Sequence, residues 1–160
     1  MPVTLRTDLR PGDLGSIVRM HGTVYAAEHG FDTTFEAYVA GPLARYVLAP
    51  SDGDRLWVAD NDGVLVGSVA VIEASADEGQ LRWFLVDPAA RGQGIGSLLL
   101  TEAVQFAQER GYKWVFLWTV SQLASAAKLY RTAGFEKVET RPGRRWGADV
   151  VEERFVLRLK

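Results

Sequence analysis

This 160-residue chain contains the glycine-rich segment Val86-Asp87-Pro88-Ala89-Ala90-Arg91-Gly92-Gln93-Gly94-Ile95-Gly96-Ser97, which is the part of the sequence most informative about its fold. It separates a strand predicted over residues 80–86 from a helix predicted to end at Gly111. Glycines let a bulky anion approach the backbone, where N–H groups and the positive end of the following helix converge on it. The segment therefore predicts an anion-binding crossover between a strand and a helix of an α/β sheet.

Regular elements are predicted on both sides of this crossover from the spacing of apolar residues. A β-hairpin precedes it, with strands at 55–59 and 64–72 joined by Asp60-Asn61-Asp62-Gly63, whose Asp-Gly ending favours a tight turn. An apolar strand at 114–118, buried on both faces, follows it. The other predicted elements are a strand at 3–7, a helix from Asp13 to Gly30, helices at 33–48 and 123–133, and a final antiparallel pair at 135–140 and 152–159 around a polar loop at 141–149.

Length and composition indicate a single domain spanning residues 1–160, since 48% of the residues are apolar and 24% are charged. The chain has no Cys and two His, so thiol catalysis and cysteine-ligated zinc are excluded and no metal site is expected. No apolar run approaches the ~18 residues of a membrane span, and residues 1–11 contain no signal-like stretch. We expect a cytoplasmic protein without a membrane or nucleic-acid partner, because there is also no dense basic patch.

The formal net charge of −2 is unevenly distributed along the chain. Residues 1–80 contain 5 Lys/Arg against 12 Asp/Glu, whereas residues 81–160 contain 13 against 8. A basic half favours an anionic ligand such as a phosphorylated cofactor, and an acidic half favours a cationic acceptor.

Three kinds of phosphate site compete for the glycine-rich loop. A Walker loop is excluded because no Gly-Lys-Ser/Thr follows. A dinucleotide fingerprint that starts at Gly92 and Gly94 has Ser97 in place of its third glycine, and it follows a hairpin instead of opening a doubly wound sheet. An NAD-dependent oxidoreductase is therefore the least favoured alternative. The third pattern is Arg-x-x-Gly-x-Gly behind a strand that ends in Val-Asp-Pro.

This third pattern extends well beyond the loop. Leu85-Val86-Asp87-Pro88 and the loop itself are followed by the apolar strand at 114–118 and by Ala126-x-x-Leu129-Tyr130-x-x-x-Gly134-Phe135. Over residues 80–136 the chain resembles the GNAT superfamily of acyl-CoA-dependent N-acetyltransferases. More loosely, the whole chain resembles the acetyltransferase half of MarR-type regulator fusions. The resemblance implies a mixed, mostly antiparallel sheet flanked by helices.

The same resemblance implies acetyl-CoA as the cofactor. In the family the pantetheine amides pair with the strand before the loop, which here ends in Phe84-Leu85-Val86 and splays from the strand at 114–118. The pyrophosphate lies on the loop that Arg91 starts. The implied N–H donors are those of Gly92, Gln93, Gly94, Ile95, Gly96 and Ser97.

Acetyl transfer from a thioester to an amine needs a proton donor for the departing thiolate and an acceptor for the amine proton. Tyr130 occupies the position of the family's general acid. Many family members carry a Glu as base on the strand before the loop, but Leu81-Arg82-Trp83-Phe84-Leu85 contains no carboxylate. The candidates for the base are Glu73, at the end of a hairpin strand, and Glu78, Glu28 and His21.

Two groups of side chains are candidates for binding the acceptor. His21, Tyr25 and Glu28 have the i, i+4, i+7 spacing that places them on one helix face. Arg82 suits bidentate binding of a carboxylate, and strand alternation predicts it on the same sheet face as Phe84. We expect direct transfer to a primary amine of a small molecule or peptide, in a ternary complex. A non-catalytic acyl-CoA-binding sensor is the alternative function, and a homodimer is left open.

Overall fold

The computed structural model describes residues 3–160. Strands and helices alternate along them in the order β-α-α-β-β-β-α-β-α-β-β, as the sequence predicts. The strands are β1 (Thr4–Arg6), β2 (Arg55–Asn61), β3 (Val64–Glu73), β4 (Glu78–Val86), β5 (Trp114–Val120), β6 (Glu136–Arg145) and β7 (Ala148–Arg158). The helices are α1 (Asp13–His29), α2 (Thr33–Leu48), α3 (Ile95–Glu109) and α4 (Ala124–Thr132), with a short 3-10 turn at Pro88–Ala90.

The strands form one sheet in the order β1-β2-β3-β4-β5-β7-β6. Neighbouring strands are antiparallel except β4 and β5, which run parallel because α3 carries the chain back between them. The mixed, mostly antiparallel sheet implied by the resemblance is therefore confirmed. Because β4 and β5 are parallel, both carboxyl ends point to the same edge of the sheet, and the glycine-rich loop starts at this edge.

Helices pack on both faces of the sheet. On one face α3 buries Leu99 and Ala103 completely. On the other face α1 and α2 bury Ile17 and Leu43 completely. Within residues 3–160, no helix combines the length and the apolar character needed to cross a membrane.

A charged cluster fastens the N-terminal strand to the helical layer. The Arg6 guanidinium donates to Asp13 at 2.7 Å and to Asp60 at 3.0 Å, and these side chains are nearly buried. Hydrogen bonding to Arg6 holds the pKa of Asp13 below its usual range. One guanidinium therefore ties β1 to both α1 and the end of β2.

The C-terminal hairpin is longer than predicted. Its ladder runs from Glu136↔Val156 to Arg145↔Ala148, so the polar loop expected at 141–149 is wrong. All residues of β6 are exposed at the edge of the sheet. The strand therefore lacks the alternation of apolar and polar residues by which a sequence reveals a half-buried strand.

Candidate functional site

A cavity opens where β4 and β5 separate. Their parallel ladder runs from Glu78↔Trp114 to Gln80↔Phe116 and ends there, which leaves the rest of β4 with a free edge toward β5. The cavity has a volume of about 700 Å³ and is lined by α1 and α2 on one side and by the glycine loop and α4 on the other. This volume is typical of small-molecule sites.

A β-bulge redirects β4 at the cavity. Ala70 pairs with Arg82 and Ser68 with Leu85, so β4 has one residue more than β3 across this stretch. Trp83 has φ +50, and its carbonyl accepts a hydrogen bond of 2.7 Å from the buried Ser68 hydroxyl. That hydrogen bond holds the strained backbone in place.

The bulge overturns the expectation that Arg82 and Phe84 share a sheet face. The Arg82 guanidinium lies 5.9 Å from the Tyr38 ring, on the side of α2. Phe84 lies 5.8 Å from Tyr130, on the side of α4. The inserted residue reverses the side-chain alternation, and Trp83 is a residue type that gives no sign of a positive φ.

The glycine loop presents a row of unpartnered N–H groups at the cavity. Among the hydrogen bonds within residues 3–160, none uses an N–H of residues 92–97 as its donor. Gly94 precedes α3 with φ +78, a conformation that glycine adopts readily, and a Cβ there would meet open space. The positive end of α3 points to the same space. These features fit a pyrophosphate, which needs several donors and room beside the backbone.

Close packing at Gly96 and the hydrogen bonds of Arg91 hold the loop in position. A Cβ on Gly96 would lie 3.1 Å from Leu129 Cδ1, so the glycine lets α3 approach α4 closely. Arg91 donates to the Val86 carbonyl at 3.2 Å and forms a bidentate ion pair with Glu28, whose shorter N–O distance is 3.0 Å. Glu28 therefore lines the cavity as the partner of Arg91 and is not a free carboxylate.

Tyr130 lies on α4 in the cavity wall, with its ring in the apolar core. Its ring centroid is 5.7–5.8 Å from those of Phe84, Phe135 and Phe155. Burial, with a smaller effect from Tyr25, raises the pKa of Tyr130 well above its usual range. The phenol is therefore protonated at neutral pH and can act as a donor.

His21 and Tyr25 line the cavity from α1, together with Glu28, on the helix face that the sequence predicts. His21 Nδ1 donates to the Ile17 carbonyl at 2.8 Å, and its Nε2 is buried without a partner. Burial lowers the pKa of His21 to about 4 and raises the pKa of Tyr25 to about 12. Both side chains are therefore neutral near pH 7.

Glu73 and Glu78 lie outside the cavity, which corrects the expectation that Glu73 is the base. β3 is antiparallel to β4, so Glu73 at the end of β3 pairs with the second residue of β4. The cavity opens at the other end of β4. Glu73 instead lies near Tyr112, and Glu78 lies 3.9 Å from Arg154.

Polar residues that the sequence pattern does not single out also line the cavity, among them His29, Thr119 and Glu152. His29 Nε2 and Thr119 Oγ1 are buried without a hydrogen-bond partner. His29 follows Tyr25 by four positions, and this helical spacing was the available signal. Thr119 and Glu152 reach the cavity through the pairing of β5 with β7, which local sequence does not reveal.

Known proteins match this chain over most of its length. A family model described as the acetyltransferase (GNAT) family matches residues 23–135. An uncharacterized N-acetyltransferase of Schizosaccharomyces pombe is 32% identical over 119 residues, 72% of this chain and 72% of that protein. The uncharacterized N-acetyltransferase YjgM of Escherichia coli is 31% identical over 145 residues, 86% of this chain and 84% of that protein. Other curated relatives are longer, and the matches cover 56% and 40% of two of them.

A solved structure has the same fold. The structure of yncA from Salmonella typhimurium, solved with its cofactor acetyl-CoA, superposes with a TM-score of 0.74 at 22% identity. The superposition covers 100% of this chain and 95% of that one. The sheet formed by residues 3–160 is not doubly wound, so the NAD-binding alternative has no structural support. Its sequence matches and its sheet together place the chain: it belongs to the acetyltransferase (GNAT) family.

Proposed function

We propose that this protein transfers an acetyl group from acetyl-CoA to a primary amine of a small molecule or peptide, directly and within a ternary complex. The observation that carries the proposal is a single cavity with two chemically different walls. Unpartnered N–H groups of Gly92, Gly94 and residues 95–97 lie on one wall, and the aromatic and imidazole side chains of α1 and α2 lie on the other. The first is the loop wall, and the second, together with Arg82 and Trp146, is the acceptor wall. Two ligands on these opposite walls meet between β4 and β5.

The loop wall suits acetyl-CoA. The N–H groups of residues 92–97 and the positive end of α3 bind the pyrophosphate, next to Arg91. The free edge of β4 at Phe84, Leu85 and Val86 offers N–H and C=O groups to the pantetheine amides, as an added strand would require. When bound, acetyl-CoA supplies an acetyl thioester whose leaving group is a thiolate. The yncA structure, which holds acetyl-CoA, supports this choice of cofactor.

Side chains of both walls carry out the proton transfers. Tyr130 donates its phenolic proton to the departing sulfur, and burial keeps that proton on the phenol beforehand. A backbone N–H on the free edge of β4 polarises the acetyl carbonyl.

The amine proton passes to an imidazole of the acceptor wall, because Glu28 is already paired with Arg91. His21 and His29 each have a buried Nε2 without a partner. The low pKa of His21, about 4, makes it a poor base near pH 7, so we assign this step to His29. Replacing His29 by Gln is expected to lower kcat at pH 7 more than His21→Gln does.

Tyr130→Phe tests the role of the acid, with Tyr112→Phe as the matched control. Tyr112 is a buried tyrosine outside the cavity, whose hydroxyl donates to the Gly53 carbonyl at 2.7 Å. Loss of general-acid catalysis lowers kcat by roughly a hundred- to ten-thousand-fold, and the KM for acetyl-CoA stays unchanged because the phenol does not bind the phosphates. The assay is release of free thiol with a panel of amines. An unchanged kcat in Tyr130→Phe, or an equal loss in the control, removes Tyr130 from the mechanism.

A non-catalytic acyl-CoA-binding sensor is the second candidate function. The observation that favours it is that both carboxylates lining the cavity are engaged, Glu28 with Arg91 and Glu152 with Arg145 at 3.0 Å. Tight binding of acetyl-CoA without thiol release for any amine in the panel selects this alternative.

A further inference from the structure

We propose that the acceptor amine carries a carboxylate and an apolar body, and that Arg82 binds this carboxylate in the cavity. The inference rests on the proposed function, and it names the substrate class of the same site. An α-amino acid with an apolar side chain has this chemistry.

Arg82 is a cation at the acceptor wall that no carboxylate neutralises. Its half-buried side chain lines the cavity, and no carboxylate within residues 3–160 lies within ion-pair distance of it. Burial lowers the pKa of Arg82 and the nearby cation Arg45 acts in the same direction, whereas Tyr38 opposes them through its charge and a hydrogen bond to the guanidinium. A partly desolvated cation without a carboxylate partner is costly, and an anionic ligand lowers this cost.

Neither carboxylate of the cavity is available to Arg82. Glu28 is held by Arg91 across the glycine loop, and Glu152 is held by Arg145 at the C-terminal hairpin. Although the N-terminal half has an excess of acidic residues, none of them provides a free carboxylate at the acceptor wall. The charge there is the positive charge of Arg82. A guanidinium binds a carboxylate with two parallel hydrogen bonds, and this geometry selects planar anions.

The bulge places this cation beside the reacting end of the cavity. Arg82 faces the acceptor wall, and Phe84, two positions later, faces Tyr130. Both residues line the same cavity of about 700 Å³. One small molecule, such as an amino acid, can therefore place its carboxylate at Arg82 and its amine beside the end of β4.

The remainder of the acceptor wall is aromatic. The ring of Trp146 lies 5.1 Å from the rings of Phe31 and Phe35 and 5.3 Å from that of Tyr38. The Arg145 guanidinium already lies 4.3 Å from the Trp146 ring and 5.1 Å from the Tyr38 ring. An acceptor with a second positive charge would meet this guanidinium there, whereas an apolar side chain packs against the rings.

Matched acceptors test the inference. Each apolar amino acid is compared with its amide and with its decarboxylated amine, for example L-phenylalanine, L-phenylalaninamide and 2-phenylethylamine, and the same three forms of leucine and methionine. The wild type, Arg82→Gln, Arg82→Lys and the control Arg19→Gln are assayed by thiol release. Arg19 is exposed on α1 and lies outside the cavity.

We expect kcat/KM to be at least ten-fold higher for the best amino acid than for its amide and amine, as loss of a charge-assisted hydrogen bond predicts. Arg82→Gln removes this preference, Arg82→Lys restores part of it, and the KM for acetyl-CoA stays constant. Arg19→Gln behaves as the wild type. Amides or amines that react as well as the acids overturn the inference and leave the proposed function intact.

A binding measurement separates the failure of the inference from the failure of the proposed function. The melting temperature of each variant with saturating coenzyme A is recorded as each amino acid and each amide is added. Stabilisation by an acid but not by its amide, lost in Arg82→Gln, supports the carboxylate site even when no acceptor is acetylated. Equal effects of acid and amide, or no effect of any acid, overturn it.

Discussion

The two glycines that flank the start of α3 respond differently to the same substitution. Gly94 has φ +78 and open space where a Cβ would project, whereas a Cβ on Gly96 would lie 3.1 Å from Leu129 Cδ1. The constraint is thus conformational at Gly94 and steric at Gly96. Alanine at each position separates the two constraints.

The expected magnitudes follow from these constraints. An L-residue in the left-handed region costs about 1–2 kcal/mol, so Gly94→Ala lowers the melting temperature by roughly 2–8 °C in a chain of this length. Gly96→Ala gains up to about 1 kcal/mol of helix propensity, which displacement of the flexible Leu129 methyl group offsets. Its free energy of unfolding therefore stays within about 1 kcal/mol of the wild type.

Urea denaturation of the two variants measures this difference, with Gly143→Ala as the control. Gly143 lies on the exposed strand β6, and a Cβ there meets no other atom. The reasoning is refuted when Gly96→Ala is the more destabilised of the two loop variants, or when Gly94→Ala is as stable as the control.

Two other substitutions probe ionisable side chains that affect the stability of the fold. His21 has a pKa of about 4 in the folded state against an ordinary 6.5, so the unfolded chain binds the additional proton between these values and stability falls as the pH falls from 6.5 to 4. The loss amounts to about 3 kcal/mol, and denaturation across this pH range should show it in the wild type but not in His21→Gln; parallel curves contradict it. Arg6→Met leaves the carboxylates of Asp13 and Asp60 without their guanidinium and should lower the urea concentration at the midpoint of unfolding. An unchanged midpoint would show that the cluster contributes little.

The predictions that the structure confirms are those based on local sequence patterns. The crossover from β4 to α3 was visible because glycine is needed where the backbone has positive φ, as at Gly94, and where two elements approach closely, as at Gly96. The helix face with His21, Tyr25 and Glu28 was visible because helical spacing is local. These patterns do not depend on which strands pair in the sheet.

Long-range pairing accounts for the predictions that failed. The sequence makes Glu73 a candidate base, but the antiparallel register places it beside the start of β4, away from the cavity at the other end of that strand. The bulge at Trp83 depends on a hydrogen bond from the Ser68 hydroxyl, fifteen residues earlier in the chain. Tryptophan is also a residue type that gives no indication of a positive φ. The long hairpin was hidden because β6 is exposed throughout.

Binding of acetyl-CoA by the loop after β4 can be observed residue by residue with NMR. Amide correlation spectra are recorded as acetyl-CoA is titrated into the labelled protein, and again with NAD. The amide signals of residues 92–97 should shift with acetyl-CoA, while those of β6 should stay in place and NAD should have no effect. Unmoved signals of residues 92–97 at saturating acetyl-CoA, or shifts confined to another surface, would contradict binding of acetyl-CoA by this loop.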